Sequence, residues 1–121
     1  IDTQISFGRA LTLTDSAEAL TLQVAQMCMD QCARAVRDGT PITVADTMKV
    51  WDMARYAVLM ACEAIELLFR TSPVRAASRG QRMQRYLRDV QMYRIHPSSQ
   101  PWLDAARAKS HWGLPIDRYG H

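Results

Sequence analysis

The chain has 121 residues, of which 48% are apolar and 22% charged, with a mean hydropathy of −0.21. That is enough for one domain and too little for two, and it excludes a disordered chain. Fifteen Lys and Arg against twelve Asp and Glu leave a net charge of +3, too mild an excess to point to nucleic acid.

Residues 1 to 14 have no clear period and read as a lead-in segment. Asp15, with Glu18 three residues on, has the form of a capping box, so a first helix is expected over 15–37. Leu20, Val24, Met27 and Ala35 fall near one face of it, and Gly39 followed by Pro41 ends it. Thr43 and Asp46 form a second box. The stretch beyond carries Met48, Trp51, Ala54, Val58, Cys62, Ile65 and Phe69 at spacings of three and four residues. That period predicts a long amphipathic helix over 44–70, closed off by Pro73. Ser78, Arg79 and Gly80 read as a loop. A third helix is expected over 81–95, with Met83, Leu87, Val90 and Tyr93 on one side. Pro97 cannot continue it, because proline lacks an N–H and restricts His96 before it. Ser99 is a candidate cap for a fourth helix running to about His111, with Gly113 as its stop. No stretch alternates over a strand length. The expected fold is all-α, a four-helix up-down bundle forming a single domain over 1–121.

Charge and cysteine usage narrow the setting. From Arg70 to Arg94 there are seven arginines and one acid, Asp89, a local balance of +6. Such a face is either solvated or turned to an anionic partner. Three cysteines argue against a disulfide framework and for a reducing, cytoplasmic compartment. The most apolar run, Ala57 to Phe69, is short and contains Glu63 and Glu66, so no membrane span is expected. No secretory leader is visible. The first residue is Ile1 and not Met, so the chain is expected to be part of something longer.

Familiar catalytic signatures are absent from the sequence: it has no HExxH, no P-loop, no GxGxxG and no Gly-x-Ser-x-Gly. Cys28 and Cys32 sit four apart on one helix, but His96, His111 and His121 are scattered. The two thiols therefore read as buried structural cysteines, and no metal site is expected. The informative stretch is Gln84 to Ser99, an arginine-rich helix that stops at a His-Pro turn before a new helix begins. At such a junction the His96 imidazole can enter a cleft towards which the N–H groups of the next helix also point.

That stretch resembles the carboxy-terminal helical domain of the acyl-CoA dehydrogenase superfamily. Arg88-Asp89 matches the Arg-Asp pair of those enzymes, and Ile95-His96-Pro97-Ser98-Ser99 matches the turn that follows it. The dehydrogenase base, a Glu in many members, falls at Pro97, which cannot take a proton. The stretch is more similar to the flavin-dependent monooxygenases of the same fold: Met83-Gln84-Arg85, Arg88-Asp89, six residues, then His96. Leu67-Leu68-Phe69 and Arg79-Gly80 also resemble that branch. Phe7-Gly8-Arg9-Ala10-Leu11 resembles the superfamily's Phe-Gly-x-x-Leu. The paired glycines that follow the long helix in the family are replaced by Arg70, Thr71 and Ser72.

The resemblance implies a fold, a chemistry and a set of residues. It implies the carboxy-terminal part of an oxidoreductase that hydroxylates or N-oxidises a small-molecule substrate through a flavin oxygenated at C4a. The cofactor would be reduced FMN or FAD, delivered by a flavin reductase and held only with domains outside this chain. His96 would be the catalytic acid/base group, a task an imidazole performs near neutral pH. Ser98, Ser99 and Phe7 would lie on the cofactor, and Arg85, Arg88 and Asp89 would be structural, with Asp89 paired to a neighbouring arginine. A homo-dimer or homo-tetramer is implied, with neither nucleic acid nor membrane as a partner. Two alternatives stand beside this: a helical oligomerisation module, and a dehydrogenase-like protein without the usual Glu.

Overall fold

The computed structural model describes residues 2–71 and 82–116. Four α-helices and one short 3₁₀ turn account for nearly all of them, and there is no strand among the described residues. The helices are α1 (Asp2–Asp38), α2 (Val44–Arg70), α3 (Arg82–Arg94) and α4 (Trp102–His111), with the turn at Pro97–Ser99. The all-α reading holds.

Helix α1 starts far earlier than the sequence suggests. Asp15 lies in its interior and caps nothing. The inward stripe runs Ser6, Ala10, Leu13, Ala17, Leu20, Val24 and Met27, each half-buried or buried. Its first members are small, so the period carries little apolar bulk there. Thr12, Thr14 and Thr21 satisfy their hydroxyls on the carbonyls four residues back, which lets polar residues sit inside the helix. At 37 residues, α1 is about 55 Å long.

Gly39 ends α1 with φ +66°, a left-handed position that a glycine fills without strain. The chain then reverses over five residues, and α2 lies antiparallel on α1. The box at the start of α2 is complete. Thr43 Oγ1 accepts from the Asp46 N–H at 3.1 Å, and the Asp46 carboxylate accepts from the Thr43 N–H at 3.3 Å. Such a cap contributes about 1 kcal/mol.

Helix α2 is the hub on which α1, α3 and α4 all pack. Its buried residues include Val50, Ala57, Cys62 and Ala64. Arg9 of α1 pairs with Glu63, and Arg94 of α3 grips Glu66 with two bonds of 3.0 Å. Trp51 and Val58, expected in the core stripe, are exposed and face the other side of α2. Cys28 and Cys32 are also exposed, against expectation, because they lie on the outward side of α1. Only Cys62 is a buried thiol. The loop expected at Ser78, Arg79 and Gly80 lies outside the described residues, as does Pro73.

Candidate functional site

The outward side of α2 meets the α3–α4 junction, and a pocket of about 490 Å³ opens between them. Met48, Trp51, Ala54 and Val58 line it from α2, at the three- and four-residue spacing that places side chains on one helix face. Tyr93 and His96 come from the end of α3, Pro97 from the turn, and Trp102 and Leu103 from the first turn of α4. The Tyr93 and His96 rings are nearly parallel, 5° apart in plane, with centroids separated by 6.4 Å. The pocket is thus walled by aromatic and aliphatic side chains.

The junction itself is tightly bonded. The His96 N–H donates to the Tyr93 carbonyl at 2.9 Å. Ser99 does not cap α4. Its buried hydroxyl donates to the carbonyls of Arg94 at 2.8 Å and His96 at 2.9 Å, closing the end of α3 instead. Gln100 Nε2 adds a bond to the Arg94 carbonyl at 3.1 Å. Helix α4 begins after Pro101 with no side-chain cap. Its Leu103 and Asp104 N–H groups are taken up by the carbonyls of Gln100 and Pro101. The amides expected to point into the cleft are therefore largely spent on the turn.

A charged cluster at the pocket wall was not legible in advance. Asp52 and Arg55 both line the pocket, with side chains only 5% and 4% exposed. Arg55 Nε stands 3.7 Å from Asp52 Oδ1, an ion pair beyond hydrogen-bond distance. Arg55 Nη2 donates to Asp104 Oδ1 on α4, and the Tyr56 hydroxyl donates to Asp104 Oδ2 at 3.1 Å. The Arg55 guanidinium also lies over the Tyr56 ring, 4.9 Å from its centroid. Asp52 Oδ2 and Arg55 Nε are buried, with no hydrogen-bond partner among the described residues. Burial pushes the Asp52 carboxyl above its ordinary value, against the pull of Arg55 and Arg107. The one signal in the sequence is a charged i,i+3 pair set into the apolar stripe of α2, where a surface pair has no reason to be.

The other residues singled out by the sequence are dispersed. Phe7 is exposed on α1, beside Arg9, whose partner Glu63 lies past the pocket's stretch of α2. Ser98 belongs to the turn, and its side chain lies outside the described part. Arg85, Arg88 and Asp89 are exposed on α3. The pairing expected of Asp89 is not found among the described residues, where Arg94–Glu66 is the ion pair that ties α3 to α2. Among the described residues no group of three or more metal-binding side chains occurs, and no helix is long and apolar enough to cross a membrane.

No curated protein and no solved structure matches the chain. The sequence profile of the acyl-CoA dehydrogenase C-terminal domain matches residues 2–101, from the start of α1 to the residue before α4. With a match over that much of its length and an all-α fold to go with it, the chain belongs to the acyl-CoA dehydrogenase C-terminal domain family.

Proposed function

We propose that the chain is the carboxy-terminal helical part of a reduced-flavin-dependent monooxygenase acting on a small molecule. The observation that supports this is the position of His96, at the mouth of an apolar pocket built from three helices. A bound flavin, FMN or FAD, would supply the activation of oxygen. The described residues form one wall of such a site and not the whole of it. Arg55, the cation lining the pocket, is engaged by Asp104, so no cation there is left to hold a flavin phosphate. Phe7 lies on α1, which contributes no residue to the lining of this pocket, and the Ser99 hydroxyl is committed to backbone carbonyls, so neither supports a flavin contact. In this reading His96, which lines the pocket, holds or moves a proton at the substrate. Anaerobic titration of the full-length polypeptide is expected to show tighter binding of reduced than of oxidised flavin. A polypeptide that binds neither form, or that oxidises acyl-CoA thioesters, overturns the reading.

A second reading, self-association, rests on the outward side of α1. Leu22, Ala25, Met29, Cys32 and Val36 repeat every three and four residues there, all exposed, on the side opposite the stripe that packs on α2. A helix with two apolar faces has one left to bury. The chain is expected to sediment as a dimer or tetramer at tens of micromolar, and Met29→Glu is expected to shift it to monomer with its helix content kept. A wild-type monomer under those conditions excludes this reading.

A further inference from the structure

The expectation of no metal site rests on buried thiols, and the Cys28 and Cys32 thiols are free and exposed. Both stand on α1, four residues apart, which sets their Cβ atoms about 5–6 Å from one another. That separation decides what the pair can do. A disulfide needs Cβ atoms roughly 3.5–4.5 Å apart, so within an intact helix the two cannot join. A tetrahedral zinc with Zn–S bonds of about 2.3 Å holds two sulfurs about 3.8 Å apart, which both side chains reach by turning towards each other. The stretch also suits a cation. Between Arg9 and Arg34, α1 carries no Lys or Arg and three acids, Asp15, Glu18 and Asp30. Asp30 is engaged by Gln26 at 2.8 Å, and among the described residues no third ligand joins the two thiols. One chain therefore offers two of the four ligands that a structural zinc site takes.

We propose that Cys28 and Cys32 of two copies of this chain together hold one thiophilic divalent cation, zinc or a metal of like preference, in a four-thiolate site where the α1 helices meet. Position argues for the second copy. The exposed apolar stripe of α1 runs from Leu22 to Val36 with Met29 at its middle, and the two cysteines bracket that residue. When two identical helices pair antiparallel about a two-fold axis, the middle of the shared stripe lies on the axis, and what flanks it meets its own copy. Four thiols then gather where one chain has two. Binding releases one proton from each thiol to solvent and forms four metal–sulfur bonds, with no change of oxidation state. The site rests on the self-association reading above and adds a ligand to it. It is independent of the monooxygenase reading, since α1 contributes nothing to the pocket beside His96.

The test titrates the reduced chain with Co(II), whose visible spectrum separates tetrahedral thiolate from octahedral aqua coordination, and then displaces it with Zn(II). Saturation is expected at one cobalt per two chains, with a tetrahedral thiolate spectrum that zinc abolishes. Cys28→Ser and Cys32→Ser are each expected to lose that spectrum with helix content kept, whereas Cys62→Ala, at the buried thiol, is expected to retain it. In sedimentation, zinc at about ten times its dissociation constant is expected to tighten self-association about tenfold, an effect absent from both serine variants. An octahedral spectrum, saturation at one cobalt per chain, or a thiolate spectrum that survives in both serine variants overturns the site. If the chain pairs without metal and shows no thiolate spectrum, the self-association reading stands and the site falls. If the metal-free chain is monomeric and pairs only around the metal, the site stands and the apolar stripe alone is not what joins the copies.

Discussion

Arg55→Ala is expected to destabilise the domain by about 3–5 kcal/mol at neutral pH, a fall of roughly 10–25 °C in Tm. The substitution removes the only cation among the described residues within ion-pair distance of the buried Asp52 and, at the same stroke, one of the two links from α2 to Asp104 on α4, leaving that of the Tyr56 hydroxyl. The cost lies mainly with Asp52, since Asp104 is about half exposed and can return to water. The double change Asp52→Leu with Arg55→Met is therefore expected to recover most of the loss, because apolar residues of similar volume need no partner. Acid is expected to help as well. The folded-state pKa of Asp52 lies above the ordinary value of 3.8, so the folded protein holds this proton more tightly than the unfolded chain. The stability gained from that proton is present in full below 3.8 and is lost as pH rises through the folded pKa. Urea melts of Arg55→Ala from acid to neutral pH should thus diverge progressively from those of the double variant. Parallel curves would show that Asp52 is not held above its ordinary value.

If the monooxygenase reading proposed above is right, His96→Ala made in the full-length protein is expected to leave the melting temperature nearly unchanged and to lower product formation by about 10²–10⁴. Its side chain reaches the pocket from the end of α3, while the local fold is held by main-chain groups: the His96 N–H on Tyr93, and the His96 carbonyl under Ser99. Alanine preserves both. Oxygen consumption driven by the reductase is expected to continue, so the ratio of product to oxygen consumed should fall. An unchanged ratio, with a lowered Tm, would make His96 a packing residue beside Tyr93.

The parts of this fold that could be read from the sequence are those where one signal has no competitor. Helix α2 has a complete box at Thr43 and Asp46, an unbroken period of large side chains and a basic last turn, and its limits were predicted to the residue. The end of α3 was legible because Pro97 forbids continuation. The start of α1 was not. Ser6, Ala10 and Ala17 pack closely on α2 but carry little bulk, while Asp15 and Glu18 imitate a cap in mid-helix. Ser99 misled for a related reason: a hydroxyl before a helix can serve the helix behind it, and here it does. At the site, His96 stood out because a proline follows it. Asp52 and Arg55 did not, because whether a charged pair is sunk or solvated depends on α4, which crosses it from 49 residues away.

The three cysteines divide two to one between surface and interior, which gives the molecule a built-in clock for its own opening. Cys28 and Cys32 stand exposed one turn apart on α1, whereas Cys62 is buried in the hub helix, where burial pushes its thiol up and starves it of reactive thiolate. A thiol reagent added to the native protein, diluted below the concentration at which the α1 faces pair, therefore consumes two equivalents promptly and then waits. The third equivalent can be taken up only when α2 parts from its neighbours, so its rate of uptake reports how often the whole hub comes undone.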